Sequence, residues 1–331
     1  MLLSNEKTVY DRCLKRIEPA MNLRQLRYFI GVVDAGSMAL ASRRLHVSQP
    51  TLSRQIRDLE REFSVRLFDR VGRKLNLTVE GRELVARSRH LVAEAEALTA
   101  RSAVLGGNTA GVLRVGAPPQ FIEAAMPGVL QAYRHAHPTV EVQLSEDGGR
   151  SLLTRVEQGE LHLAIGMLRD VGPLASRLLY PLRVLAVMSR GHPLASRRGL
   201  TIDDLAHEPL LILASGFQTR QLFEEACTGR QPDLHIVLES RSPQSLIALA
   251  AAGHGIAIVP SVVPLTRSRV AIVGLLHQGR PLGSWGLVAW HPQRYLAPYG
   301  EAFIDTLVRC TRRSYPGHAL RVTRGVERPA S

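Results

Sequence analysis

The sequence predicts an α/β chain overall: a small helical unit with a hairpin, then one long helix, then a two-halved α/β region. Three observations lead there. Helical apolar stripes separated by short turns fill residues 23–59, and an alternating hairpin follows. A leucine then recurs every seven residues, at Leu84, Leu91, Leu98 and Leu105. From Val112 onward short apolar runs alternate with helical stripes, as in sheets wrapped by helices.

The chain has 331 residues, enough for two or three cores, and a net charge of +13. That charge is uneven. Residues 21–90 carry 14 basic and 7 acidic groups, and residues 309–331 carry 6 and 1, whereas residues 91–308 balance at 18 and 18. A basic unit on a neutral body suits a polyanion partner such as nucleic acid. No run of about 18 apolar residues exists, so no membrane span is expected. Met1 to Ala20 mixes charges without an apolar stretch, which excludes a secretory signal and reads as an extension ahead of a second start at Met21. Cys13, Cys227 and Cys310 are too scattered for a disulfide framework or a metal site and fit a reducing cytoplasm, with Cys227 and Cys310 as packing residues.

Leu23, Leu26, Phe29, Ile30 and Val33 form the stripe of a first helix. Gly36-Ser37 stops it and caps a second, whose inner face is Met38, Ala41 and Leu45. His46-Val47 is the turn. Ser48 then caps a third helix, with Pro50 in its first turn, where a missing N–H costs nothing. Leu52, Ile56 and Leu59 share one face of it, and Gln49, Ser53, Arg54 and Arg57 lie mostly off that face. An ordinary amphipathic surface helix would show the same stripe. The preceding tight turn makes the pair a helix-turn-helix, whose outer amide, hydroxyl and guanidinium groups can read base edges in a major groove.

After Phe63 the period changes. Val65 and Leu67, then Leu75 and Leu77, alternate as two strands around the tip Asp69-Arg70-Val71-Gly72-Arg73-Lys74. Such a basic wing can follow a phosphate backbone. A helix from Thr78 to about Leu105 follows. Its leucine heptad, with Ser88, Ala95 and Ser102 between, predicts pairing with a second chain rather than packing on its own domain. Gly106 to Gly111 reads as a hinge.

In the second region strands are expected at Val112–Gly116, Val140–Leu144 and Leu161–Gly166, with helices at Phe121–Arg134 and Ser151–Gln158. A second set starts with Pro181–Met188. It continues with strand Leu210–Leu213, helix Phe217–Cys227, strand Ile236–Glu239, helix Pro243–Ala252 and strand Ile256–Val259. Strands near Ala271–Leu275 and Trp285–Trp290 and a helix Pro298–Thr311 close it. The alternation predicts a parallel-rich sheet. The expected organisation is an extension at 1–20, a winged unit at 21–78, a linker helix at 79–108 and a ligand-binding region at 109–311. Within the last, one half takes 109–180 and 281–311 and the other 181–280, and the basic tail 312–331 is expected to be disordered.

These residues resemble the LysR-type transcriptional regulators from about Met21 to Thr311. The resemblance rests on Leu26-Arg27-Tyr28-Phe29, Gly36-Ser37, Leu45 to Ile56, Leu59-Glu60, Leu67 to Arg70 and Leu77 to Gly81. Met126-Pro127, Gln158 to Ile165 and Gly253 to Pro260 extend it into the second region. It implies a winged helix-turn-helix, a linker helix that pairs two chains, and a two-lobed α/β effector domain similar in fold to periplasmic binding proteins. It further implies a dimer or tetramer on an inverted repeat in promoter DNA, RNA polymerase as partner of an activator, no cofactor, and a small-molecule effector. Carried over by motif, Gln49, Pro50, Ser53 and Arg54 are the base or near-base contacts. Ser48, Thr51, Arg57, Arg70, Arg73 and the adjacent Lys74 contact the backbone.

Three positions depart from the family pattern: Met38, Ser42 in place of Ala, and His162 in place of Asp. The first two are packing changes, and His162 reads as a core-edge residue rather than a ligand. By family position the effector site lines the cleft between lobes: Gln120, Gly166 and Met167, Ser215 and Thr219, and Ser242 with Gln244. Free N–H groups at helix starts suit an anion, so a small carboxylate is the expected effector, with Arg220 adding charge. A ligand-independent DNA-binding repressor or architectural protein is the alternative. An enzyme is disfavoured, because GxSxG, P-loop and HExxH patterns are absent and the twelve His are scattered. A solute-binding protein would leave the basic N-terminal unit unexplained.

Overall fold

A computed structural model describes residues 21–71, 74–107, 109–167, 171–228, 234–266 and 268–313, and Tyr315. The extension at 1–20, the wing residue Arg73 and nearly all of the basic tail lie outside the described residues. The chain divides into two units between Glu96 and Ala97.

In the first unit, α1 (Leu23–Ala35) starts at a reciprocal cap, Asn22 with Gln25, and ends at Gly36, whose φ of 67° is left-handed. Ser37 caps α2 (Met38–Arg44) by accepting from the Leu40 N–H at 3.2 Å. His46, with φ 53°, turns the chain toward α3 (Gln49–Phe63). Leu26, Phe29, Val32, Ala41, Leu52, Ile56, Leu59 and Leu67 form its core. Full burial of each large side chain contributes about 1.5–3 kcal/mol.

The hairpin is shorter than the alternation predicts. Strand β1 (Phe68–Val71) pairs antiparallel with β2 (Lys74–Leu77), and Val65 and Leu67 precede it. Leu67 is instead a core residue pinned by its backbone: its N–H donates to Glu60 Oε1 at 2.8 Å, and its carbonyl accepts from the Thr78 N–H at 3.1 Å.

The long helix α4 spans Val79–Leu105. Gly81 is required in its first turn, because a Cβ there would collide with the Leu67 carbonyl oxygen. The heptad stripe divides. Leu84 and Val85 pack on the helix-turn-helix core, and Ser88 and Val92 are buried. Arg89 pairs with Asp34 at 2.5 Å. Of the heptad leucines, Leu84 therefore packs on its own domain, which the heptad alone does not show. Leu91, Leu98 and Leu105 remain 47%, 72% and 72% exposed.

In the second unit one nine-stranded sheet runs β4-β3-β5-β13-β6-β9-β7-β8, with β10 also on β6. Its strands are β3 (Gly111–Ala117), β4 (Val140–Glu146), β5 (Leu163–Met167), β6 (Ala175–Ser189), β7 (Pro209–Leu213), β8 (His235–Ser240), β9 (Ile256–Pro260), β10 (Val270–Gly274) and β13 (Gly283–Trp290). A small ladder of β11 (Leu276–His277) and β12 (Arg280–Pro281) lies between β10 and β13. Helices α5 (Pro119–Ala136), α6 (Gly149–Glu157), α7 (Gln218–Cys227), α8 (Pro243–Ala251) and α9 (Pro298–Arg313) complete the unit.

The parallel-rich sheet is corrected to a mixed one. β3 pairs parallel with β4 and β5, and β7 with β8 and β9. β5/β13, β6/β13, β6/β9 and β6/β10 are antiparallel. The second strand set does not begin at Pro181. Residues Ala175 to Arg183 of β6 pair with β13 in the first half, and Val184 to Ser189 pair with β9 and β10 in the second. One continuous strand thus serves both lobes.

Candidate nucleic-acid interface and effector cleft

Ser48 organises the start of α3. Its Oγ accepts from the Thr51 N–H at 3.3 Å and lies 2.7 Å from Thr51 Oγ1. The hydroxyls of Ser48 and Thr51 thereby satisfy each other and the helix end. Gln49 and Pro50 occupy the first turn, with Pro50 where no N–H is required. Ser48, Gln49, Pro50, Thr51, Arg54 and Arg57 are exposed and Ser53 is half-buried, while Leu52, Ile56 and Leu59 face inward. The outer face thus offers an amide, hydroxyls and two guanidinium groups, and the Arg57 Nε donates back to the Ser53 carbonyl at 3.3 Å. Arg70 and Lys74 stand in β1 and β2, one residue in from the ladder's last pair and on that pair respectively.

Four helix starts approach one another between the lobes of the second unit. Gln120 is in the first turn of α5, after Pro118, which supplies no side-chain cap. It is buried, and its carboxamide oxygen has no hydrogen-bond partner among the described residues. Glu123, one turn on and so on the same helix face, accepts from Gln244 Nε2 at 3.0 Å. That bond joins α5 of one lobe to α8 of the other. Gly148 starts α6 without a side-chain cap, and a Cβ there would lie 2.7 Å from the Gly216 carbonyl oxygen. Asp147, beside it, pairs with Arg241 of the other lobe at 2.9 Å. The Arg241 guanidinium also lies 5.6 Å from the centroid of the Phe217 ring.

Burial opposes ionisation of Asp147. Hydrogen bonds from the Ser151 hydroxyl and the Gly148 N–H, together with Arg241, outweigh it and hold the carboxyl below its usual range.

Of the residues expected to line the cleft, Gly166 and Met167 end β5 and are buried. Thr219 is buried in the first turn of α7, and Ser215 is exposed in the preceding turn. Ser242 caps α8 by accepting from the Ser245 N–H at 3.2 Å, and Gln244 reaches Glu123. Arg220 does not supply free charge. It bonds Glu224 at 2.6 Å and Glu239 at 3.1 Å, so two carboxylates already match it. His162 is at the core edge. Its Nδ1 accepts from the Arg114 N–H at 3.0 Å, and burial, then the Arg114 charge, push its pKa down to about 4.

Sequence reasoning missed Glu123, Asp147, Phe217, Gln218 and Arg241. Asp147-Gly148-Gly149 at the end of β4 was the available signal, a small-residue turn where a neighbour approaches closely. The contacts that give the other four a role join residues far apart in the chain.

Comparison with known proteins agrees with this geometry. Residues 23–82 match the bacterial regulatory helix-turn-helix protein, lysR family, and residues 106–311 match the LysR substrate binding domain. A hydrogen peroxide-inducible genes activator of Pectobacterium carotovorum is 31% identical over 292 residues, covering 87% of this chain and 96% of that protein. The HTH-type transcriptional regulator BenM of Acinetobacter baylyi is 30% identical over 251 residues, covering 73% and 81%. A full-length OxyR variant from Pseudomonas aeruginosa superposes with a TM-score of 0.66 at 25% identity, covering 88% and 95%. With a basic winged helix-turn-helix ahead of a two-lobed substrate-binding domain, the chain belongs to the LysR family of DNA-binding bacterial transcriptional regulators.

Proposed function

We propose that this regulator is a cytoplasmic homo-oligomer that reads an inverted repeat in promoter DNA and answers to a small carboxylate held between its lobes. Where it activates, RNA polymerase is its further partner. In this reading α3 supplies the base contacts from Gln49, Pro50, Ser53 and Arg54. The phosphate contacts come from Ser48, Thr51, Arg57 and the wing positions Arg70, Arg73 and Lys74. The exposed Leu91, Leu98 and Leu105 of α4 join two chains, so two copies of α3 meet two half-sites.

The observation that carries the ligand reading is Gln120. Its buried carboxamide oxygen has no hydrogen-bond partner among the described residues, at a helix start whose cap is a proline. Buried polar groups are rarely left so. The neighbouring start of α7 also lacks a side-chain cap, which suits an anion, whereas at the start of α6 the Gly148 N–H already donates to Asp147 Oδ1. Gly166, Met167, Ser215, Thr219, Ser242 and Gln244 complete the lining, while Arg220 and Arg241 are each already paired with carboxylates.

Induction by peroxide, as the name of one relative records, would need reactive chemistry here. Cys227 does not offer it. Burial first, then Glu224, push the Cys227 thiol up to about 11, so it stays protonated near neutrality and is a poor nucleophile. Reversible binding of an organic acid fits this cleft better. A thermal-shift screen of small mono- and dicarboxylates on the full-length chain should find at least one that raises Tm in proportion to its concentration. Failure of every acid in such a screen, with neutral or cationic metabolites stabilising instead, would count against the carboxylate.

A further inference from the structure

Gln218 is the first residue of α7 and is buried, yet its side chain does not serve its own helix. It crosses to the other lobe. Its Oε1 accepts from the Met167 N–H at 2.7 Å, and its Nε2 donates to the Met167 carbonyl at 3.4 Å. A side-chain amide therefore pairs with the end of β5 from both sides, much as a neighbouring strand would. The lobe opposite is shaped for it. A Cβ at Gly149 would collide with Gln218 Oε1, and one at Gly166 would lie 3.5 Å from the same atom. The slot takes one planar acceptor with its amide edge.

Two more contacts cross the same gap, Asp147 to Arg241 at 2.9 Å and Gln244 to Glu123 at 3.0 Å. Both involve exposed groups and are correspondingly weak. The Gln218 pair is the buried one, and a buried hydrogen bond left unmade is costly.

The Met167 N–H, beside the start of α7 with no side-chain cap, is also where an anion would be held, if the cleft takes a carboxylate as read above; the inference rests on that reading. We infer that Gln218 is a built-in occupant of the cleft. Its carboxamide bridges the two lobes, and a carboxylate effector acts by taking the Met167 N–H from it. A carboxylate oxygen matches the carboxamide oxygen in size and sp² geometry, and its charge makes the stronger acceptor. Because that exchange replaces a tie between lobes with a ligand, binding favours a different lobe arrangement, which a regulator needs.

The test uses the full-length chain and residue-resolved amide exchange at Met167, with acetate and acetamide as probes. In the unaltered protein Met167 should exchange as slowly as Ile165 inside β5. Gln218→Ala should speed its exchange by about tenfold or more, without changing Ile165. Acetamide or acetate, small enough to refill the slot, should slow it again. Gln218→Glu keeps the acceptor but fixes a negative charge in the slot. Met167 should therefore stay protected, and acetate should no longer stabilise the chain. Met167 in Gln218→Ala exchanging as slowly as in the unaltered protein would overturn the inference, as would failure of both probes to restore its protection. Restoration by acetamide but not by acetate would keep the bridge and overturn the carboxylate reading on which the exchange step depends.

Discussion

Gln49 shows how much one position carries. It stands in the first turn of α3, exposed, on a helix whose opposite face is locked by Leu52, Ile56 and Leu59. Replacing it by Ala leaves that packing untouched and removes only an outward amide. Gln49→Ala should weaken binding to the specific site by about 1–3 kcal/mol and barely change binding to unrelated DNA, as read by titration against both. Equal affinity for the specific site before and after substitution would remove α3 from the reading role. His162 makes a different prediction. Its pKa is pushed down to about 4 by burial and then by Arg114, so the folded chain binds fewer protons than the unfolded chain between about pH 4 and 6.5. Stability from this group is therefore present above about pH 6.5 and is lost as pH falls toward 4. Measured by denaturant unfolding, a His162→Asn variant should lose less stability over that window than the unaltered chain. Parallel pH curves for the two would show that His162 is not a source of acid sensitivity.

At the scale of elements, α4 divides its work. Its first turns belong to the helix-turn-helix unit, fixed by Gly81 against Leu67 and by the Arg89–Asp34 pair. Its later leucines face outward, and surface substitutions there should cost the fold little. Leu98→Glu combined with Leu105→Glu should raise the dissociation constant of the self-association by about tenfold or more, with the melting of the helix-turn-helix unit unchanged. Sedimentation velocity at several concentrations reads this, and unchanged assembly would place the contact elsewhere. The elements also show what sequence alone can give. α3 was legible because its determinants are local: a Ser cap, an early Pro, and apolar residues at i, i+4 and i+7. β6 was not. Its two pairing zones depend on β13 on one side and on β9 and β10 on the other, partners far along the chain. Pro181 read as a strand start, yet it lies within the strand, opposite Trp285 and next to a ladder irregularity at Gly286/Leu287 where a missing N–H is tolerated.

At the scale of the whole molecule, charge and cleft assign two tasks to two regions. The excess of basic over acidic groups in residues 21–90 supplies the sequence-independent attraction to DNA, so affinity should fall steeply with added salt. The electrically balanced second region can bind a small acid without itself competing for DNA. Within that region the family resemblance placed Gln120, Met167 and Gln244 at the cleft. It could not show that Gln120 is unsatisfied, that Arg220 is already neutralised, or that Gln218 spans the lobes, because each depends on contacts between residues distant in the chain. Ligand in the cleft should alter DNA reading by α3. The direct measurement is a footprint of the full-length chain on DNA it selects from a random pool, with and without an acid that stabilises it. Two related half-sites in inverted orientation are expected, with a footprint whose extent or affinity changes with the acid. A single asymmetric site, or a footprint the acid leaves unaltered at saturating concentration, would contradict it.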